Sequence, residues 1–148
     1  MKGFSLVELI ITVTIIGILT AMAVPLARNT IQREREVELR QALRDLRVAI
    51  DKYKEASERG LIQVKVGTDG YPENLEVLVE GVSMLNTVDK KLKFLRKIPT
   101  DPMTNSADWG LRAYQDEPDA FSWGGENVFD VYTKSEGIAL DGTKYKEW

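Results

Sequence analysis

Carboxylates are the side chains of this sequence that could most readily do chemistry, because the chain contains neither cysteine nor histidine. Their absence excludes thiol nucleophiles, disulfides and Cys/His zinc sites, and it removes the commonest general base. Asp116 and Asp119 could form an acid–base pair, but the sequence gives them no contrast in surroundings, and a polar turn accommodates both. No Gly-rich phosphate loop and no Gly-x-Ser-x-Gly motif occurs. The sequence therefore predicts a protein that is not an enzyme.

Glu8 is the carboxylate in the most unusual place, because it stands at the start of a long apolar segment. Glu8 and Arg28 bracket residues 9–27, a run of nineteen positions without a charge. A carboxylate inside a membrane-length helix costs about 3 kcal/mol unless it is neutralised or paired. Either a specific cationic group meets Glu8, or its side chain reaches water at the depth of the lipid headgroups. Sequence position alone leaves both interpretations open.

The apolar run is long enough to cross a membrane. At about 1.5 Å per residue, a helix over residues 9–27 extends roughly 28 Å, close to the thickness of the hydrocarbon core. A buried helix of a soluble protein is one alternative, although 148 residues offer little to cover a helix that is apolar on all sides. A conventional secretory signal cleaved after Ala23 is another, with Pro25 close behind the cut. Basic residues on both sides of the run leave its orientation open.

The beginning of the chain resembles a known export signal. Met1-Lys2-Gly3-Phe4-Ser5-Leu6-Val7-Glu8 and the apolar residues up to position 19 closely resemble the class III signal of type IV pilins and pseudopilins. The resemblance implies that a prepilin peptidase cleaves after Gly3 and that the new N-terminal residue, Phe4, is N-methylated. It also implies that the chain from residue 28 onward is exported from the inner membrane into the periplasm.

The same resemblance assigns roles in assembly to Glu8, Gly17 and Pro25. It implies that Glu8 meets the Phe4 amine of a neighbouring subunit when the filament forms. In filaments of this family the stretch between the matching glycine and proline can unwind, which here corresponds to residues 17–25. Proline also lacks an amide hydrogen and clashes with the preceding helical turn, so Pro25 predicts a kink on physical grounds alone.

An amphipathic helix is predicted for residues 28–59. This segment carries nine basic and seven acidic residues, and an apolar stripe with helical spacing runs through it. The stripe consists of Leu39, Ala42, Leu43, Leu46, Ala49, Ile50, Tyr53 and Ala56. The charges indicate a solvated face, on which two favourable pairs are expected, Glu36 with Arg40 and Asp51 with Lys54. Together with the apolar run, this segment predicts one helix of roughly 80 Å.

The rest of the chain predicts a small head that ends in a sheet. Gly60 is placed to end the long helix, and the residues after it indicate a linker with weak strand character. Residues 71–81 predict a two-turn helix. Residues 109–114 and 128–133 are expected to form antiparallel strands joined by a loop. The predicted fold class is therefore α+β, with a long N-terminal helix packed on a small C-terminal antiparallel β-sheet.

The C-terminal part of the chain resembles the G-type major pseudopilin of type II secretion. The resemblance lies in residues 98–102, in residues 123–132, in Asp141-Gly142 and in Trp148. It implies three regions, which are a cleaved leader at residues 1–3, a transmembrane and filament-core helix at residues 4–27, and a periplasmic head at residues 28–148. The head consists of the amphipathic helix, residues 28–59, followed by a variable loop and sheet, residues 60–148.

A calcium site is also implied by this resemblance. In that family a calcium ion is held near the C-terminus by carboxylates and backbone carbonyls, the oxygen ligands that this hard cation prefers. The nearest candidates here are Glu136 and Asp141, although residues 134–142 depart from the usual acid-rich, glycine-rich loop. The alternative is an ordinary polar turn with solvated acids, and with Trp148 packed back on the sheet.

The resemblance implies a structural subunit of a type II secretion pseudopilus that polymerises and drives protein export. The implied partners are prepilin peptidase, minor pseudopilins, the inner-membrane assembly platform, membrane lipid before assembly, and further copies of the chain. A type IV pilin of a surface fibre is the alternative, but the lack of a cysteine pair and the Trp123-Gly124-Gly125 sequence favour the pseudopilin. A solitary anchored binding domain would leave the leader uncut and form no polymer. A net charge of −3 predicts no nucleic-acid partner.

Overall fold

One long helix dominates the architecture. The computed structural model describes residues 5–85, 87 and 90–148, and for residues 22–27 it describes the backbone alone. The helix α1 (Leu6–Glu58) contains 53 residues and extends about 80 Å. It continues without interruption past Pro25, and the kink expected there stays a prediction. A long helix packed on small antiparallel sheets confirms the predicted α+β class.

A glycine ends α1 as the sequence predicts. Gly60 has a φ of 65°, a left-handed conformation that a residue without a Cβ adopts at little cost. The Gly60 N–H donates to the Ser57 carbonyl at 3.0 Å, and the Leu61 N–H donates to the Ala56 carbonyl at 3.0 Å. These two bonds form a Schellman motif, which satisfies carbonyls that the end of a helix would otherwise leave unpaired.

The core of the head lies along the second half of α1. Every member of the predicted apolar stripe, from Leu39 to Ala56, is buried. Tyr53 meets the ring of Phe94 at a centroid distance of 5.2 Å, and the remaining core residues come from all parts of the head, among them Ile62, Leu78, Trp109, Val128 and Val131. Full burial of one such aliphatic side chain contributes about 1.5–3 kcal/mol. The stripe therefore fixes where the head attaches to the helix.

Short elements make up the rest of the head. In chain order they are α2 (Glu76–Glu80), β1 (Val82–Ser83), β2 (Lys91–Leu92), β3 (Gly110–Arg112), β4 (Asp130–Tyr132) and a 3₁₀ turn, Tyr145–Glu147. Strands β3 and β4 pair antiparallel with Leu111 opposite Val131, which confirms the predicted sheet. The β1–β2 pair was not predicted, because strands of two residues have no periodicity to detect. The helix α2 is shorter than predicted, and in the turn before it the side chain of Asn74 accepts the Val77 N–H at 3.0 Å.

Candidate functional site

The N-terminal part of α1 presents apolar side chains that the head does not cover. We refer to residues 5–21 as the exposed segment. Ten of its side chains have at least 51% of their surface exposed, and they are Leu6, Val7, Leu9, Ile10, Ile11, Val13, Ile15, Ile16, Ile18 and Leu19. They point in all directions around the helix, and burying such surface is favourable by roughly 25 cal/mol per Å². A surface of this kind requires lipid or other protein chains around it.

The hydroxyl groups of the exposed segment are satisfied within the helix itself. Thr12 donates to the Leu9 carbonyl at 2.8 Å, and Thr14 donates to the Ile10 carbonyl at 2.7 Å. Thr20 makes the same kind of bond to the Ile16 carbonyl at 2.8 Å. An unsatisfied polar group in an apolar medium is costly. These bonds therefore make the segment compatible with surroundings that contain no water.

Glu8 lies in the first turn of α1 and is exposed. Ser5 and Glu8 have the spacing of a capping box, but no side-chain hydrogen bond caps the helix at Ser5. The first turn carries the positive end of the helix dipole, which favours a carboxylate there. Gly3 and Phe4, the predicted cleavage and methylation residues, lie outside the described residues.

Gly17 and Pro25, the other two residues with a predicted role in assembly, both lie within α1. A Cβ placed on Gly17 would have nothing within 4 Å, so packing within the described chain does not require a glycine at this position. For Pro25 only the backbone is described, and its role in assembly stays a prediction.

The C-terminal segment, residues 138–148, docks on α1 through a network around Gln32 and Glu36. The Gln32 Nε2 donates to the Tyr145 Oη at 2.9 Å and to the Ile138 carbonyl at 3.1 Å. The Glu36 carboxylate accepts the Leu140 N–H at 2.8 Å and the Tyr145 hydroxyl at 2.9 Å. Burial raises the pKa of Tyr145 above its ordinary value, so its hydroxyl remains a donor well above neutral pH. Polar residues of the helix thus fix the position of the chain's last segment.

Arg40 and Arg47 extend this attachment along the helix. The Arg40 guanidinium lies 4.0 Å from the ring centroid of Trp148 and 3.5 Å from the Asp141 carboxylate. The Arg47 Nε donates to Asp130 at 2.7 Å, and its Nη2 donates to the main-chain oxygens of Val131, at 3.2 Å, and Trp148, at 2.9 Å. One arginine therefore joins the helix, strand β4 and the last residue.

The predictions of two ion pairs, Glu36 with Arg40 and Asp51 with Lys54, are wrong. The prediction that the charged face of α1 is only exposed to solvent is also wrong. Arg40 pairs with Asp141, and Glu36 accepts hydrogen bonds from the C-terminal segment rather than pairing with Arg40. Lys54 pairs with Glu58 at 3.3 Å instead of with Asp51. Sequence reasoning missed that this face docks the end of the chain. The available signal was the four-residue spacing of Gln32, Glu36 and Arg40, which places them on one side of the helix.

The two predicted calcium ligands are exposed residues near the C-terminus. Glu136 lies before the bridge that pairs Ile138 with Lys144. Asp141 forms hydrogen bonds with Thr143, and these bonds, with a smaller contribution from Arg40, lower the pKa of its carboxyl. Within the described residues, no group of three or more acidic side chains gathers in a way that could hold a metal ion. Calcium binding stays a prediction.

Comparison with known proteins places the chain's beginning in a recognised class. A family model for the prokaryotic N-terminal methylation motif matches residues 1–24. This match supports a type IV pilin-like prepilin with a membrane-anchored N-terminus, and it implies processing by prepilin peptidase and polymerisation into a filament. No solved structure matches the chain. Among the residues whose structure is described, no helix meets the length and apolarity needed for a membrane span.

Proposed function

We propose that this protein is a structural subunit of a type II secretion pseudopilus. It is processed by prepilin peptidase and polymerised through its N-terminal helix, and growth of the filament drives protein export. The observation that carries this proposal is the exposed segment, whose apolar side chains are uncovered and directly follow the start of the methylation motif. Its role is structural rather than catalytic.

The proposed assembly replaces one apolar environment with another. Before assembly, residues 4–27 form a single span in the inner membrane, where lipid covers the apolar side chains and the head lies in the periplasm. After extraction by the inner-membrane assembly platform, the same side chains pack against other copies in the filament core. The threonines of the exposed segment suit both states, because their hydroxyls are bonded within the helix.

Glu8 sets the register of assembly in this proposal. Its carboxylate faces a strong penalty inside an apolar core unless a cation meets it. The methylated amine of Phe4 on a neighbouring copy supplies that cation after the leader is removed. Minor pseudopilins are further partners of the homopolymer in this proposal.

The loop after β3 supports the pseudopilus over a surface fibre. The Trp123 Nε1 donates to the Asn127 carbonyl at 2.7 Å, and the Gly124 N–H donates to the Asp116 carboxylate at 3.1 Å. The region that resembles the G-type pseudopilin is thereby closed by hydrogen bonds, and the whole sequence contains no cysteine that could form the C-terminal disulfide common in long-pilus subunits.

Substitution of Glu8 tests this function. We expect Glu8→Gln, which keeps the shape of the side chain but removes its charge, to leave leader cleavage intact and to reduce both filament recovery and secretion by about tenfold. Glu8→Asp is the matched control, because it keeps the charge, and it should retain part of the activity. The readouts are sheared filaments in the pellet and the amount of exported protein in the medium.

Deletion of the gene in the same cells distinguishes a secretion pseudopilus from a surface fibre. Deletion of the gene should leave exported proteins trapped in the periplasm while surface fibres remain. Loss of surface fibres with normal secretion would replace the pseudopilus with the type IV pilin. Normal assembly and secretion by Glu8→Gln would contradict the proposed role of the carboxylate.

Calcium binding in the head has a separate test. If Glu136 and Asp141 help to hold calcium, a chelator should lower the melting temperature of the full chain in detergent, and added calcium should restore it. The double variant Glu136→Gln, Asp141→Asn should no longer respond to either treatment. An unchanged melting curve of the wild type would remove both residues as calcium ligands.

A further inference from the structure

A ridge of positive charge lies along one side of the head. The basic ridge consists of five exposed side chains within residues 90–97, a segment that includes β2, namely Lys90, Lys91, Lys93, Arg96 and Lys97. In the part of the chain that the structure describes, none of these side chains forms an ion pair. Five like charges within eight residues repel one another, so a partner with negative charge would be stabilised there.

A loop of opposite charge belongs to the same molecule. The acidic loop, residues 114–126, connects β3 to β4 and contains four acids and no basic residue. Asp116 closes the loop, because its carboxylate accepts the Ala113 N–H at 2.7 Å and the Gly124 N–H at 3.1 Å. The other three acids, Glu117, Asp119 and Glu126, are exposed. The hydrogen bonds to Asp116 therefore hold the backbone of the loop in place, while the other three carboxylates are exposed to solvent.

Aromatic side chains accompany the carboxylates of the acidic loop. Phe121 is 49% exposed and Trp123 is 41% exposed, although both are anchored on the head. Phe121 meets the Tyr132 ring at 5.6 Å, and the Trp123 indole donates to the Asn127 carbonyl. Partly exposed aromatic residues on a fixed loop are typical of protein interfaces. A protein surface with positive charge is the partner that this loop fits.

The ridge and the loop are held on different sides of α1. The segment that carries the ridge packs along α1 beside Val48 and Lys52. The β3–β4 sheet, from which the loop extends, is attached through Arg47 and Asp130. At 3.6 residues per turn, Lys52 and Arg47 lie about 140° apart around the helix. Complementary surfaces on different sides of one molecule fit a head-to-tail contact between copies, which repeats into an open helical assembly.

We propose that the basic ridge of one copy receives the acidic loop of a second copy, and that this contact sets the arrangement of heads in the filament. The inference rests on the proposed function, since the filament supplies the second copy. An anionic lipid surface is the less favoured partner, because Lys52, beside the ridge, lies about 36 Å along α1 from residue 28. Charge complementarity of this kind selects register and partner more than it adds affinity.

Charge exchange in the full chain tests the contact. We expect the triple reversal Lys93→Glu, Arg96→Glu, Lys97→Glu to lower the sedimentable filament fraction by about tenfold. The reversal of the loop, Glu117→Lys, Asp119→Lys, Glu126→Lys, should have a similar effect. Combining the two sets should restore assembly to within about twofold of the wild type, because the charges are again complementary. Lys144→Glu is the control, since it reverses an exposed lysine outside the ridge.

Disulfide trapping provides a second test that does not depend on charge. The chain contains no cysteine, so Lys93→Cys and Glu117→Cys introduce the only thiols, and each single variant shows whether that position links to itself. We expect mild oxidation of assembled protein to give a ladder of linked copies, and the pair Lys144→Cys with Lys93→Cys to give none. Melting curves of all variants show whether the heads remain folded.

The outcomes separate the inference from the proposed function. If the wild-type chain forms no filament, the proposed function is wrong and the ridge contact falls with it. If the wild type assembles and the reversed variants assemble equally well without disulfide ladders, only the ridge contact is wrong. If both reversals reduce assembly, exchange gives no rescue and the ridge reversal abolishes a preference of the full chain for phosphatidylglycerol over phosphatidylcholine vesicles in flotation, the ridge binds anionic lipid instead.

Discussion

Asp141 is exposed, yet its carboxylate organises the turn that brings the C-terminal segment onto α1. One of its oxygens accepts the Thr143 N–H at 2.9 Å and the Thr143 hydroxyl at 2.6 Å. The Thr143 hydroxyl oxygen in turn accepts the Trp148 indole N–H at 2.8 Å. The hydroxyl of Thr143 is the main reason that the pKa of Asp141 lies below its usual value. A single ionised side chain therefore connects the turn to the aromatic contact that follows it.

The lowered pKa of Asp141 makes stability depend on pH in a defined direction. A carboxyl whose pKa is lower in the folded state stabilises the fold above its unfolded pKa, about 4, and this contribution is lost as pH falls through the folded value. We expect Asp141→Asn to be less stable than the wild type near neutral pH, and the difference to shrink below about pH 4. Urea unfolding of the full chain in detergent across this range measures it.

Glu136→Gln is the control for this titration. Glu136 is also an exposed acid near the C-terminus, but among the described residues its carboxylate accepts no hydrogen bond and forms no ion pair, so its substitution should leave the pH dependence of the unfolding free energy unchanged. A constant difference between wild type and Asp141→Asn at every pH would show that the Thr143 bonds do not act through the charge of the carboxylate.

At the scale of elements, the β3–β4 pair depends on a close approach of backbone and ring. A Cβ added to Gly110 would collide with the Tyr132 ring. That ring has little room to move, because the Tyr132 hydroxyl donates to the Phe121 carbonyl at 3.0 Å and the Arg112 guanidinium lies 4.5 Å from the ring centroid. The glycine is thus required by the neighbouring strand rather than by its own backbone angles.

Gly110→Ala should destabilise the head by about 1–3 kcal/mol, because either the ring or the strand must shift. Denaturant unfolding, monitored by tryptophan fluorescence, measures this change. Gly17→Ala is the matched control, since a Cβ there meets nothing within 4 Å and should leave unfolding of the head unaltered. Equal stability of wild type and Gly110→Ala would contradict the close contact.

Arg47 holds three parts of the fold together, so its substitution should lower the unfolding free energy by more than substitution of a neighbouring arginine. Arg47→Ala removes the bonds to Asp130, Val131 and Trp148, and we expect a loss of about 2 kcal/mol in unfolding free energy. Arg44→Ala is the control, because the Arg44 side chain bonds the exposed side chain of Gln41. Similar losses for the two variants would show that the bonds of Arg47 contribute little.

The sequence predicted the elements that depend on local pattern and missed those that depend on distant partners. The stripe from Leu39 to Ala56 and the stop at Gly60 are read from helical spacing and from glycine chemistry, and both are confirmed. Two partners of Glu36, Leu140 and Tyr145, lie more than a hundred residues away, so no local pattern could identify them. The predicted pair of Glu36 with Arg40 does not form, because Glu36 accepts hydrogen bonds from these distant donors instead.

The candidate site shows the same division between what sequence reveals and what it cannot. The apolar run and the position of Glu8 are visible in the sequence alone. The methylation motif matched at residues 1–24 agrees with the resemblance to the export signal of type IV pilins and pseudopilins. The basic ridge stands as a run of charge in the sequence, but the sequence did not predict it as a binding surface. Its separation from the acidic loop required the fold, because only packing shows which side of α1 each surface occupies.

At the scale of the whole molecule, α1 performs two tasks along its length. Its second half is covered by the head through the buried stripe and the Arg47 contacts. In its first half, residues 6–21 remain uncovered and largely apolar, so the proposed function makes them available to lipid and then to other copies. Because the two surfaces do not overlap, the head can remain folded while the helix changes its surroundings. This separation is what a subunit needs if it is stored in a membrane and used in a filament.

The measurement that tests this account most directly is the intact mass of the protein isolated from its own membrane, with fragmentation of the N-terminal peptide. We expect the chain to begin at Phe4, with Met1 to Gly3 removed and one methyl group on the Phe4 amine. That result would establish the maturation on which assembly through Glu8 depends. An uncut Met1, or a new N-terminus near Ala23, would contradict the filament subunit and favour an anchored or secreted binding domain.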